Sequence, residues 1–223
     1  MPDHGARKKP AHVGPSQFQQ QRARTSALRR QNISEEVERF LIVCEGEKTE
    51  PQYFAGFRVT GKILKITGIG DNPRALVGVA IRQKNEARFP YDQVWCVFDR
   101  DSIPSDDFDG AISKAKVADL QVAYTNEAFE LWYLLHFEDH RSDLDRRQYS
   151  QKLSDRLGHK YEKNSISMYD ELQSKQDEAI RRAESLMAEY DSDQNPHQNN
   201  PSTTVHLLVK ALRANATPRP NVS

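Results

Sequence analysis

The chain has no long apolar segment and very little cysteine. None of its 223 residues fall in an apolar run approaching the roughly 20 residues that span a bilayer, and the N-terminus shows no apolar secretion signal. The two cysteines, Cys44 and Cys96, lie in apolar segments predicted to be buried strands, where cysteine behaves as a small hydrophobic residue. These features exclude a disulfide scaffold, and we expect a cytoplasmic protein with no membrane partner.

The chain also has no net charge overall, but its charged residues are unevenly distributed. Residues 1–34 contain seven Lys or Arg and one acid, a net charge of +6, so residues 35–223 carry −6. Because residues 1–34 also lack a sustained apolar period, we predict a disordered basic arm there. A basic arm on an acidic body is typical of contact with nucleic acid or an acidic partner, and a solvated tail without a specific role is the alternative.

Apolar periodicity predicts an α/β core followed by a helical extension. Strands that alternate with helices indicate a mostly parallel sheet, flanked by helices. The predicted strands are 40–44, 62–69, 93–98 and 120–124, and the helices that follow them begin near residues 49, 72, 108 and 126. After residue 140 the period is helical only, over 144–157, 168–190 and 203–212, with a polar loop at 191–201. The predicted parts are an arm at 1–34, a core at 35–140, a packed helical extension at 141–215 and a tail at 216–223.

Acidic residues directly follow two of the predicted strands. Glu45-Gly46 follows the first strand, and Asp99 and Asp101 follow the third, at a spacing that points both side chains to one side of an extended chain. Ligands bind at the carboxyl ends of parallel strands, where three carboxylates would repel one another. A divalent cation with oxygen ligands, Mg²⁺ or Mn²⁺, would relieve this repulsion. The pattern predicts metal-dependent chemistry on a phosphate ester, with ordinary turn and helix-start chemistry as the alternative.

The helix predicted at 127–137 carries further candidates. Asn126 is predicted to cap this helix, whose N-terminus suits a phosphate. Glu130 is a lone acid among apolar residues, so we expect a metal or a basic residue beside it. His136 lies six residues further on, which is not a same-face spacing, and we interpret it as a partly buried structural residue.

Two later segments contain polar residues suited to phosphate. Lys160, Tyr161 and Lys163 form a basic-aromatic cluster that would hold a backbone phosphate and stack a base, unless it is a solvated helix boundary. Ser202 or Thr203 is explained by capping of the last helix. His206, in the first turn of that helix, is not explained by capping and would reach an anion.

Four stretches together resemble the RloB-like family, whose core is similar to a Toprim domain. They are FLIVCEGEKTEPQYF at 40–54, VWCVFDRDS at 94–102, NEAFELWYLLHFE at 126–138 and NPSTTVHLLVK at 200–210, and they follow the family's order. The resemblance implies that Glu45, Asp99 and Asp101 bind Mg²⁺ and that Glu130 is a further site residue. Glu127 stands where a proline is expected in many relatives, so either Glu127 or Glu130 could serve the metal.

The resemblance also implies a function and its partners. Family members resemble components of anti-phage abortive-infection systems that are paired with an ABC-type ATPase, and related Toprim proteins cleave nucleic acid, in some cases tRNA. The predicted substrate-binding residues are Lys48, Arg100, Asn126, Lys160, Lys163, Ser202, Thr203 and His206. We therefore expect a metal-dependent nuclease acting on RNA or DNA, with homo-oligomerisation left open. The alternatives are a non-catalytic module that senses a phosphorylated ligand or docks on the ATPase, and a phosphotransferase or primase-like enzyme.

Overall fold

The computed structural model describes residues 38–57, 62–101, 103–191 and 195–214. The predicted basic arm at 1–34 and the predicted tail at 216–223 lie outside these residues. Within the described ranges, no helix is both long enough and apolar enough to cross a membrane.

Five strands form one sheet in the spatial order β2-β1-β3-β4-β5. The first four strands are parallel, and β5 pairs with β4 in the antiparallel direction. This mostly parallel sheet with helices on its faces confirms the predicted fold class and is consistent with a Toprim-like arrangement. The elements in chain order are β1 (Glu38–Cys44), α1 (Thr49–Ala55), β2 (Lys62–Gly68), α2 (Pro73–Asn85), β3 (Gln93–Asp99), α3 (Ser105–Val117), β4 (Gln121–Asn126), α4 (Glu130–Leu134), α5 (Arg146–Leu157), α6 (Met168–Leu172), α7 (Gln176–Met187), β5 (Ser202–Thr203) and α8 (Val205–Arg213).

Alternate residues of the central strands face two different helical layers. In β1, Phe40 and Ile42 pack in a core shared with α1 and α4–α8, whereas Leu41 and Val43 pack with α2 and α3. Successive strand side chains point to opposite faces, so one continuous apolar run supplies both cores. Cys44 and Cys96 are both buried and both carry free thiols. This confirms the prediction that they act as hydrophobic core residues.

The helix predicted to begin after Asn126 starts later than expected. Asn126 is the last residue of β4, and α4 begins only at Glu130. The predicted capping role of Asn126 is therefore wrong: its Nδ2 donates instead to the backbone oxygens of His197, at 3.2 Å, and Asn199, at 2.8 Å. These partners lie far along the chain, so a local capping pattern could not reveal them.

The long helix predicted over 168–190 is divided. Helix α6 ends at Leu172, a 3₁₀ turn follows over Gln173–Lys175, and α7 continues from there. The polar loop predicted at 191–201 contains a second 3₁₀ turn over Pro196–Gln198.

Strand β5 was not predicted, because two residues are too few to show a period of two. Ser202 and Thr203 lie in this strand rather than at the start of α8, whose N-cap residue is Thr204. The Thr203 hydroxyl donates to the Tyr124 carbonyl at 3.1 Å and accepts from the Val205 amide at 3.2 Å. It also contacts the Thr125 hydroxyl at 3.1 Å. Thr203 thus joins β4, β5 and α8 through one fully buried oxygen.

Replacing this hydroxyl should weaken the fold. Thr203→Val keeps the side-chain size but leaves the Val205 amide and the Thr125 hydroxyl without their partner. We expect a loss of about 1–3 kcal/mol in the free energy of unfolding, measured by urea denaturation. Thr203→Ser is the control, since it keeps the hydroxyl and should lose only about 1 kcal/mol for the buried methyl. A Thr203→Val protein as stable as the wild type would contradict this role.

Candidate functional site

An open crevice of about 800 Å³ lies at the carboxyl ends of β1 and β3. From β1 the chain continues to β2 on one side, and from β3 it continues to β4 on the other side. The strand order therefore reverses between β1 and β3. Such a reversal of strand order is where open α/β sheets bind ligands. The crevice is lined by six carboxylates and three basic side chains: Glu45, Glu47, Glu50, Asp71, Asp99, Asp101, Lys48, Arg146 and Lys163.

Two hydrogen bonds tie the acidic residues to three separate segments. The Asp99 amide donates to Glu45 Oε2 at 3.0 Å, which connects the end of β3 to the residue after β1. The Phe129 amide donates to Asp99 Oδ2 at 3.0 Å, which connects the same aspartate to the entry of α4. The predicted proximity of Glu45 and Asp99 is therefore found, with Asp99 buried at the end of its strand.

Asp101 lines the same crevice for a different reason from the one predicted. The prediction from the spacing of Asp99 and Asp101 requires an extended chain. Strand β3 instead ends at Asp99, and Asp101 has φ +39°, in the left-handed region. Aspartate tolerates this region better than most residues. The Asp101 amide donates to the Glu127 carbonyl at 3.0 Å, which holds the turn against the end of β4.

Glu50 is a site residue that the sequence reasoning missed. It was interpreted only as part of a helix start, but the structure buries it, with a relative exposure of 6 %. A Cβ atom on Gly46 would overlap the Glu50 carboxylate, so glycine at this position leaves the space that the Glu50 side chain occupies. Glu50 lies in the first turn of the helix that follows Glu45, but nothing in this local pattern shows that its side chain turns back over Gly46.

Burial and mutual repulsion raise the pKa values of three acids in the crevice, Glu45, Glu50 and Asp99. Burial raises the pKa of Glu45 to about 7, although its hydrogen bond from the Asp99 amide opposes the shift. Burial also raises the pKa of Asp99 and of Glu50. The charges of Glu50, Glu130 and Glu45 raise the pKa of Asp99 further. A cation bound beside such a cluster would lower these pKa values again, because it favours the charged form of each acid.

The carboxylate oxygens of the crevice are the kind of ligand that a hard divalent cation prefers. Asp99 Oδ1 and Glu50 Oε2 are buried and have no hydrogen-bond partner, although carboxylate oxygens are strong acceptors. In the described part of the chain, no three His, Cys, Asp or Glu side chains form a complete metal-binding group. Mg²⁺ does not require one, since it is usually bound by one or two carboxylates and completed by water and phosphate. The residues present therefore fit Mg²⁺.

Basic side chains reach the acids from later elements. Arg146, the first residue of α5, places its guanidinium 3.1 Å from Asp101 Oδ2 and 3.9 Å from Asp99 Oδ2. Lys163 lines the crevice as predicted, and its charge lowers the pKa of Glu50 against the larger effect of burial. Lys48 also lines the crevice, and its predicted binding of substrate stays a prediction. Arg146 was missed, because nothing near it in the sequence links α5 to the end of β3.

Glu130 is buried behind the crevice. We expected a metal or a basic residue beside Glu130, and its protein partner is instead the hydroxyl of Tyr161, which donates to Glu130 Oε1 at 3.1 Å; a metal there stays a prediction. Tyr161 itself is buried, so the prediction that it stacks a base is wrong. The charge of Glu130 raises the pKa of Asp99, whereas Glu127 meets the acidic turn through its backbone carbonyl.

Other predicted binding residues lie away from the crevice lining. This group comprises Arg100, Asn126, Lys160, Ser202, Thr203 and His206. Burial lowers the pKa of His206, which favours its uncharged form, and its Nδ1 donates to the Thr203 carbonyl at 3.1 Å rather than facing an anion in the crevice. Burial also lowers the pKa of His136, to about 4, and this residue is fully buried rather than partly buried as predicted.

The raised pKa of Glu45 predicts a pH dependence of stability. A carboxyl group whose pKa rises on folding stabilises the protein below its unfolded pKa, near 4.3, and loses this contribution as pH rises through about 7. Glu45→Gln does not ionise but keeps an oxygen for the Asp99 amide. Between pH 5 and 8 in EDTA, its unfolding free energy should fall less than that of the wild type, by about 1–3 kcal/mol. Urea denaturation at several pH values would measure this difference.

The control for this comparison is Glu47→Gln, which removes an exposed carboxylate from the same loop. Its stability should follow the wild-type pH curve. If the Glu45→Gln and wild-type curves ran parallel, the pKa of Glu45 would not be shifted by folding.

Comparison with known proteins identifies one family. Searches of curated proteins and of solved structures give no match. The family model described as "RloB-like protein" matches residues 40–212, a range that includes every acid of the crevice and Arg146. Since the match covers well over half of the chain, the protein belongs to the RloB-like family.

Proposed function

We propose that the chain is a Toprim-like, Mg²⁺-dependent nuclease that hydrolyses phosphodiester bonds in RNA, such as tRNA, or in DNA. The observation that carries the proposal is the buried, unpartnered Asp99 Oδ1 among acids at the reversal point of the sheet. The further proposal of an effector in an anti-phage abortive-infection system, with an ABC-type ATPase as its partner, is supported by family membership alone.

Each acid has a role that follows from its surroundings. Asp99 and Asp101, with Glu50 beside them, would hold Mg²⁺ or Mn²⁺, which when bound polarises the scissile phosphate and lowers the pKa of a water. Glu45 has a pKa of about 7 and an orientation set by the Asp99 amide, so it is suited to accept a proton from the attacking water. Glu130 adds negative charge behind Asp99 and strengthens its demand for a cation.

Basic residues on the rim complement the substrate. Lys48 and Lys163 are exposed and line the crevice beside the acids. Their charges would neutralise phosphate oxygens as negative charge develops in the transition state. Because such contacts are made to the sugar–phosphate backbone, they carry no information about base sequence.

Asp99→Asn should abolish cleavage and leave the fold intact. The amide keeps an oxygen for the Phe129 amide but lacks the negative charge that binds a cation. We expect the cleavage rate to fall by at least about 100-fold, with an unchanged circular dichroism spectrum. Asp119→Asn is the control, because its side chain is 96 % exposed and distant from the crevice lining. A fully active Asp99→Asn protein would show that the metal assignment is wrong.

The assay should also identify the substrate. The protein, alone and with its neighbouring ATPase, is incubated with total tRNA, single-stranded DNA and plasmid in Mg²⁺, Mn²⁺ or EDTA. Metal-dependent cleavage that disappears in Asp99→Asn would establish a nuclease. Binding without cleavage under every condition, with the ATPase and a phage trigger supplied, would instead favour the non-catalytic sensing module.

A further inference from the structure

Arg146 is the basic side chain closest to the acids at the end of β3. Its guanidinium lies 3.1 Å from Asp101 Oδ2 and 3.9 Å from Asp99 Oδ2. Among the described acids, these two are the ones that pair with it within 4.0 Å. The side chain of Arg146 is 44 % exposed, whereas that of Asp99 is only 10 % exposed. The arginine therefore covers a buried carboxylate from the solvent side.

The position of Arg146 is set by the start of α5. Asp145 forms a capping box there, in which its carboxylate accepts from the Arg147 and Gln148 amides and the Gln148 side chain accepts from the Asp145 amide. The same helix is anchored in the core by the buried residues Tyr149 and Leu153. The backbone of Arg146 is thus held in place, whereas its long side chain is 44 % exposed and has several rotatable bonds between the helix and the guanidinium.

The guanidinium occupies the charge position that a metal ion would need. Its charge also acts beyond its direct partners, because it lowers the pKa of Glu45 and of Glu50 against the larger effect of burial. A divalent cation at Asp99 and Asp101 would repel a guanidinium 3–4 Å away from the same oxygens. Arg146 and a bound cation therefore compete for these two carboxylates.

We propose that Arg146 is the counter-ion of the Asp99–Asp101 pair in the metal-free protein, that it leaves this pair when Mg²⁺ binds, and that it then binds a non-bridging oxygen of the substrate phosphate. This inference rests on the proposed function and adds a residue to it. Arginine suits both positions, because its planar donors match carboxylate and phosphate alike. Lys163 lines the same crevice, so a phosphate oxygen bound by the displaced Arg146 would also lie near a second positive charge.

Metal binding without nucleic acid tests the first part. Isothermal titration of Arg146→Met with Mg²⁺ should give a dissociation constant about three- to tenfold lower than that of the wild type, because the competing charge is gone. Arg147→Met is the matched control: it removes the same charge from the adjacent, exposed position and should change the constant less than about twofold. Arg146→Lys should lie between wild type and Arg146→Met.

Nucleic-acid binding tests the second part. With Ca²⁺ in place of Mg²⁺ to limit cleavage, Arg146→Met should bind total tRNA or single-stranded DNA about five- to tenfold more weakly than the wild type or Arg147→Met. If Arg146 had a purely structural role, Arg146→Met would weaken metal binding and nucleic-acid binding together. It would also lower the melting temperature both in Mg²⁺ and in Ca²⁺.

The outcomes separate this inference from the proposed function. Unchanged or weaker Mg²⁺ binding by Arg146→Met and Arg146→Lys, beside a wild type that binds Mg²⁺, would overturn the competition and leave the metal site standing. Tighter Mg²⁺ binding with unchanged nucleic-acid binding would overturn the phosphate contact. A wild type that binds neither Mg²⁺ nor nucleic acid would overturn the proposed function itself.

Discussion

The burial of negative charge at one edge of the sheet is the constraint on which the rest of the site depends. Asp99 ends an apolar strand, so its carboxylate is removed from water by the same packing that stabilises the core. Only one of its oxygens receives a hydrogen bond, from the Phe129 amide. Because Glu45, Glu50 and Glu130 all add to the negative potential, the cluster needs protons, a basic side chain or a metal ion to remain compact.

Residues placed by strand ends were predictable from the sequence, and residues placed by helix packing were not. Glu45 and Asp99 follow apolar runs directly, so strand alternation alone brings them to one edge. Glu50 is buried because α1 folds back over Gly46, a contact for which the helix-start pattern gives no evidence. Arg146 depends on how α5 packs on α4, and this choice of neighbour has no local sequence signature.

Several polar residues within the family motifs stabilise the interior rather than the crevice. Asn126 donates its amide to the backbone of the 195–201 loop, and Thr203 completes the hydrogen bonds between β4 and β5. Glu130 accepts a hydrogen bond from Tyr161, which lies outside the four stretches, and His206 donates to the carbonyl of Thr203 in β5. Together the motifs therefore combine residues that line the crevice with residues that hold the segments in place, and the sequence alone does not separate the two.

Strand β5, the antiparallel strand at the edge of the sheet, is connected through β4 to the end of β3. Thr203 pairs with Thr125 across β5 and β4, and Thr125 pairs with Asp99 across β4 and β3, so the three residues lie in one row across the sheet. A substitution on β5 therefore changes the packing only two strands away from the acidic cluster. In evolutionary terms, positions 125 and 203 should change together among relatives, because their buried side chains contact each other, whereas the proposed metal-binding role of Asp99 leaves that end of the row fixed.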